Sequence, residues 1–228
     1  MLLTLPDFKK RIELSLCEHF ATESDLRAFC TMAKETGVGV VCVNPVYVRL
    51  ASRLLKGEPM AISGNIGFPF GSHPTAVKAL EAEMAVADGA TQIDMVMQIG
   101  ALKSNQDELV RQDIEAVVDE AQGRTVKVII ETWVLSDEEI QRASKIVELA
   151  GAQMVKTSTG VRTQYLQKFS KEPQGAQIKD LLLIKGVVSD QIRIKASGGI
   201  YTLEDALEYL RMGADQLGVS RGVELIQA

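Results

Sequence analysis

Eight polar residues stand at the downstream ends of apolar, β-branched runs in this chain: Ser15, Asn44, Asn65, Asp94, Glu131, Lys156, Lys195 and Ser220. Amines and carboxylates in such places are costly unless they are paired or wet. If Lys156 and Lys195 lie side by side, repulsion and lost hydration both disfavour the ammonium form, leaving one amine neutral and nucleophilic near neutral pH. A neutral amine adds to a carbonyl, and the iminium that follows withdraws electrons from the adjacent carbon. That is Schiff-base aldolase chemistry. Residue type alone leaves other readings open, since most lysines are solvated surface groups. Asp94 serves equally as a structural partner for a lysine or a helix N-terminus, and Glu131 as a member of an ion pair.

Three glycine-bearing segments point to an anion: Ser158-Thr159-Gly160, Ser197-Gly198-Gly199 and Gly218-Val219-Ser220-Arg221-Gly222. Glycine lets the main chain approach an oxyanion, and the N–H groups supply donors. Each segment alone reads also as an ordinary turn. Together they indicate a phosphate site.

The elements that must position these residues alternate. Strand-like runs are centred near Glu13, Val41, Gly64, Asp94, Ile129, Lys156, Lys195 and Gly218. Their spacing is close to the roughly 30 residues of a strand–helix–strand unit. VGVVCV and VKVII are almost unbroken in apolar residues, as strands buried on both faces should be. Between the runs, Ser136-Asp137-Glu138-Glu139 is a capping box. Thr202 opens a helix whose Leu203, Ala206, Leu207 and Leu210 share one face, and Gly213 ends it. The expected fold is therefore α/β: a (β/α)8 barrel in a single domain over residues 1–228, with a short N-terminal helical extension. An open doubly wound sheet would carry G-x-G-x-x-G after its first strand. Here Gly37-Val38-Gly39 precedes a strand instead. In a barrel the sixth and seventh strands are neighbours, and chemistry gathers where strands end and βα loops begin.

Composition narrows the partners. Lys and Arg number 25 against 30 Asp and Glu, a net charge of −5. This argues against nucleic acid, which demands a basic face, and still permits an anionic ligand held by backbone donors. Apolar runs such as 38–43 fall far short of the roughly 20 residues a membrane helix needs. The opening MLLTLPDFKKR has no basic stretch ahead of its apolar residues, unlike a secretory signal. Cys17, Cys30 and Cys42 form no C-x-x-C, and free thiols in a reducing cytoplasm are expected. His19 and His73 belong to no zinc-like cluster, so no metal is expected.

With these residues in view, the chain resembles the deoxyribose-phosphate aldolase family from about residue 11 to residue 226. The resemblance rests on VCVNP (41–45), IGFPFG (66–71), QIDMVMQIGALKS (92–104), VKVIIET (126–132), VKTSTG (155–160), IKASGGI (194–200) and GVSRG (218–222). It implies reversible cleavage of 2-deoxyribose 5-phosphate to glyceraldehyde 3-phosphate and acetaldehyde, with no cofactor. Lys156 matches the Schiff-base lysine, and Lys195 the second lysine that tunes it and relays protons. Asp94 matches the acid and base acting at the carbinolamine and aldol steps. Ser15, Cys42, Thr159, Gly160, Gly198, Gly199, Gly218 and Ser220 match substrate-contacting positions. A cysteine on a buried strand is also simply a small hydrophobe, and a strand-end threonine often serves only the backbone. The resemblance further implies a cytoplasmic homo-oligomer, a dimer or tetramer.

Departures from the family pattern bear on the substrate. Glu13-Leu14-Ser15 replaces an Asp-x-Thr segment, and Val161-Arg162 follows KTSTG where Phe or Lys is common. Arg221 stands where a second small residue is frequent. A longer carboxylate beside the amine pair shifts the charge balance or crowds the substrate. Arg162 and Arg221 either add charge to the phosphate site or lie exposed. Two alternatives therefore stand beside the first reading: a Schiff-base aldolase for another phosphorylated sugar, and a phospho-sugar-binding barrel without turnover.

Overall fold

The computed structural model describes residues 3–161, 175–219 and 226. Eight strands, all parallel, close into a barrel in sequence order: β1 (Ile12–Leu16), β2 (Val40–Val43), β3 (Ala61–Ile66), β4 (Gln92–Val96), β5 (Thr125–Ile129), β6 (Met154–Lys156), β7 (Arg193–Ser197) and β8 (Gln216–Val219). Each expected centre falls within its strand. The barrel closes through pairing of Glu13 with Gly218.

The helices form the outer layer. α1 (Leu5–Lys10) precedes β1, as the expected extension, with Thr4 accepting from the Asp7 N–H at its start. α2 (Glu23–Thr36), α3 (Val48–Leu54), α4 (Thr75–Ala87), α5 (Ile99–Lys103), α6 (Asp107–Glu120), α7 (Asp137–Leu149), α8 (Ile178–Lys185) and α9 (Leu203–Arg211) complete it. The Ser136–Glu139 box is formed in both directions. Thr202 caps α9, and Gly213 lies just beyond it at φ +110°. Among the described residues no helix is long and apolar enough to cross a membrane.

Side chains alternate along a strand, and this alternation builds two different cores. Ile93 and Met95, Val126 and Val128, and Ile194 and Ala196 face the helices and are buried there. Their neighbours Asp94, Lys127 and Lys195 are buried inside the barrel. The outer shell between strands and helices is a continuous apolar core, whereas the barrel interior near its carboxyl end is charged.

A buried amine cluster under the barrel mouth

Strand register brings the charged groups together. Lys156 on β6 lies directly beside Lys195 on β7. Asp94 on β4 lies beside Lys127 on β5. Glu13 enters from β1, opposite β5 in an eight-stranded ring, and Lys127 spans the interior to reach it. The Lys156 Nζ donates to Asp94 Oδ2 at 2.6 Å, and the Lys195 Nζ donates to the same oxygen at 2.7 Å. Lys127 is 2.7 Å from Asp94 Oδ1 and 2.5 Å from Glu13 Oε2. Lys195 also donates to Glu13 Oε1. Ser63 completes the shell, donating to Asp94 Oδ1 at 2.8 Å.

Three amines thus share two carboxylates, and buried charges survive here because each is paired. Burial works against ionisation of Asp94, yet Lys127, Lys156 and Lys195 outweigh it and hold its carboxyl well below the usual range. Glu13 is lowered as well: burial and Asp94 oppose its ionisation, and Lys127 and Lys195 overcome them. The amines divide. Burial pushes the Lys156 ammonium down, but Asp94 and Glu13 more than compensate, so its pKa is raised. In Lys195, burial comes first and is reinforced by Lys127 and Lys156, and its pKa is lowered.

This refines one expectation from the sequence. The pairing of lysines was expected to leave one amine neutral without saying which, and the resting cluster favours Lys195 for that state, against the resemblance that gives the reacting amine to Lys156. Burial comes first, with Lys127 as a third cation crowding Lys195, while the Asp94 contact holds a proton on Lys156. Because both amines meet one carboxylate oxygen, a proton leaving Lys156 has a direct path through Asp94 to Lys195. The cluster can therefore expose a neutral Lys156 amine without moving charge out of the barrel.

Access separates the lysines. Asp94 and Lys195 were expected at strand ends. Instead each is the third residue of its five-residue strand, buried beneath the mouth, because Met95-Val96 and Ala196-Ser197 continue the strands beyond them. Lys156 ends the short strand β6, and its side chain keeps 5% exposure while those of Lys127 and Lys195 keep none. It lies on a cavity of about 400 Å³ at the carboxyl ends of the strands.

Most of the expected substrate contacts line this cavity: Ser15, Thr159, Gly160, Gly198, Gly199 and Gly218. Asn44 and Asn65 join them. Cys42 does not reach the cavity. It is buried below, with its thiol donating to Asn65 Oδ1 at 3.2 Å, and Cys17 first and burial second raise its pKa. Ser220, Arg162 and Arg221 lie outside the described residues.

The glycine segments converge on one side of the cavity. Gly198 has φ +82°, and a Cβ there would sit 3.3 Å from the Gly175 Cα and 3.5 Å from the Gly160 Cα. Main chain from three loops therefore meets without intervening side chains. Gly218 has another purpose: a Cβ would lie 3.1 Å from the Lys195 Cε and 2.8 Å from the Ser197 Cβ. Glycine there leaves room for the lysine's arm. Glu131 sits behind the 158–160 loop, accepting from the Thr159 N–H at 3.2 Å and from the Trp133 indole. Burial raises its pKa. It anchors the loop through these hydrogen bonds, and among the described residues it forms no ion pair of the kind expected of it. The Ser158 hydroxyl is buried on the cavity wall with no hydrogen-bond partner, a donor held ready for a ligand.

Sequence reading missed Lys127 as a site residue. The signal was present: a lysine inside the apolar run VKVII, three positions before its end, is placed by alternation on the face opposite Val126 and Val128. The wall residues Cys17, Phe68 and Pro69 also went unmarked. They come from loops whose path the strand pattern does not specify.

A parallel eight-stranded barrel with a buried amine cluster opening on a glycine-rimmed cavity defines an aldolase-type (β/α)8 barrel. The family model for "DeoC/LacD family aldolase" matches residues 8–228. The deoxyribose-phosphate aldolase of Thermotoga maritima is 44% identical over 98% of this chain and 86% of its own. That of Caldicellulosiruptor saccharolyticus is 43% identical, covering 98% of this chain and 99% of the relative. The tetrameric deoxyribose phosphate aldolase of Aeropyrum pernix superposes with a TM-score of 0.87 at 30% identity, over 99% of this chain and 92% of that one. The chain belongs to the DeoC/LacD aldolase family.

Proposed function

We propose that this chain is a deoxyribose-phosphate aldolase, cleaving 2-deoxy-D-ribose 5-phosphate reversibly to D-glyceraldehyde 3-phosphate and acetaldehyde. The observation that carries the reading is the contrast between Lys156, which reaches the cavity, and Lys195, which shares its Asp94 oxygen from below. Lys156 loses its proton through Asp94 to Lys195 and attacks C1 of the open-chain sugar. The carbinolamine expels water with a proton returned along the same path, giving the iminium. The 3-hydroxyl then gives up its proton, the C2–C3 bond breaks, and its electrons enter the iminium as an enamine. Glyceraldehyde 3-phosphate departs. Protonation of the enamine at C2 and hydrolysis release acetaldehyde and free Lys156.

The lysine supplies the electron sink, so the reaction calls for no cofactor. Nor does the cluster suit a metal. Glu13, Cys42 and Asp94 offer donor atoms within 4.8 Å of one another, yet three lysine Nζ groups already occupy both carboxylates. The main chain around Gly160, Gly175, Gly198 and Gly199 holds the phosphate through N–H donors. The Ser158 hydroxyl, Ser15, Thr159 and, beyond the described residues, Ser220 orient the sugar. The same resemblance supports a cytoplasmic homo-oligomer acting in deoxynucleoside breakdown.

Turnover tests the reading directly. Incubation with 2-deoxyribose 5-phosphate is expected to release acetaldehyde and glyceraldehyde 3-phosphate in equal amounts. Binding of the sugar phosphate without release of either product contradicts it and favours the binding-only barrel.

A further inference from the structure

The wall of the cavity carries two thiols that aldol chemistry does not use. Cys17, just beyond β1, lines the cavity, and Cys42 on β2 lies behind it. The Asn65 side chain joins them: its Nδ2 donates to the Cys17 Sγ at 3.0 Å, and the Cys42 thiol donates to its Oδ1 at 3.2 Å. The Cys17 thiol also donates to the main-chain carbonyl of Cys42, at 4.0 Å. Cys17 receives a hydrogen bond at sulfur, while Cys42 spends its proton on a carbonyl-type acceptor and is sealed from the cavity.

We propose that Cys17 and Cys42 form a peroxide-reactive pair, in which Cys17 is oxidised first and Cys42 resolves it as a disulfide. The Cys17 thiolate attacks the hydroperoxide; the O–O bond breaks, and Cys17 becomes a sulfenic acid while the peroxide leaves as water or alcohol. The Cys42 sulfur then attacks the Cys17 sulfur. The S–O bond breaks, the hydroxyl leaves as water with the Cys42 proton, and the two sulfurs share the oxidation. The neighbouring Cys42 first, then the positive charge of Lys156 and the Asn65 N–H, favour the Cys17 thiolate against burial and Glu13. Cys30 serves as an internal control: it is buried on α2, and burial raises its pKa. Disulfide formation removes both partners of the Asn65 amide at the cavity wall. The oxidised protein therefore loses its ligand geometry there until a dithiol restores it.

The three cysteines fall in separate tryptic peptides, residues 12–27, 28–34 and 35–49. The intact protein is treated with hydrogen peroxide, blocked with an alkylating agent, and mapped by mass without reduction. The expected result is a linked pair of peptides 12–27 and 35–49, two hydrogens lighter than their sum, with peptide 28–34 alkylated. In Cys42→Ser, Cys17 is expected to be captured by dimedone as its sulfenic acid. In Cys17→Ser neither the link nor dimedone capture at Cys42 is expected. Full alkylation of Cys17 after peroxide overturns the proposal, as does oxidation that appears first at Cys30. A link that forms as readily with Asn65→Ala removes the assigned role of the bridging amide.

Discussion

Lys156 and Lys195 face each other in register on neighbouring strands, and their Nζ atoms meet on one oxygen of Asp94, at 2.6 and 2.7 Å. Two amines on one carboxylate oxygen form a proton relay without a free-standing base. The relay keeps total charge inside the barrel constant while Lys156 changes from ammonium to nucleophile. Lys127 and Glu13 set its bias, since Lys127 adds the cation that disfavours a proton on Lys195, and Glu13 offsets part of it.

Lys195→Leu removes the proton acceptor that lets Lys156 become neutral. The remaining ammonium on Lys156 is then balanced by two carboxylates against two amines and holds its proton more tightly. The acid limb of the kcat/KM profile with 2-deoxyribose 5-phosphate is expected to move to higher pH, with kcat near neutrality lower by about 10²-fold or more. An unchanged profile breaks the coupling between the two lysines.

Acid stability depends on the carboxylates with a definite sign. Glu13 and Asp94 have folded pKa values below their unfolded ones, so their contribution is full above the unfolded values of about 4. It is lost as pH falls further, through the folded values. Glu13→Gln leaves Lys127 and Lys195 with one fewer partner and is expected to cost about 3 kcal/mol at pH 7. The difference from the parent protein is expected to shrink as pH falls below about 4, as measured by urea unfolding across pH. An equal loss at pH 7 and pH 3 contradicts the ion-pair account.

Gly198→Ala tests the phosphate cradle. The alanine is strained at φ +82°, and its methyl faces the Gly175 and Gly160 main chain. A left-handed alanine costs roughly 1–2 kcal/mol, equivalent to about tenfold in binding. The expected result is a KM for the phosphorylated sugar raised on that order, with borohydride trapping of acetaldehyde at Lys156 little changed. Equal loss in both assays places Gly198 in the chemistry rather than the cradle.

Most of the architecture was legible because its signals are local. The eight apolar runs gave all eight strands, and Ser136, Thr202 and Gly213 marked helix ends where they occur. The site was legible where a charge sits at the end of a strand, as Lys156 does. Depth was harder to read: Asp94 and Lys195 lie inside their strands because the apolar residues after them still belong to the barrel. Lys127 was hidden in a run read as almost unbroken in apolar residues, and its role depends on Glu13 across the barrel, a relationship that only closure of the sheet creates. The direction of the Lys156 shift, set by Asp94 and Glu13 against burial, likewise depends on contacts that only the closed barrel creates. Cys42 matched a substrate-contacting position by resemblance, yet strand alternation and the Asn65 side chain place it behind Cys17.

The central claim is that Lys156 forms the iminium. Borohydride reduction in the presence of acetaldehyde, followed by peptide mass mapping, tests it most directly. An ethyl adduct on Lys156, absent without borohydride and absent in Lys156→Ala, is the expected result. An adduct on Lys195 or Lys127 with Lys156 unmodified contradicts the account, because it would place the reacting amine below the cavity rather than on its wall.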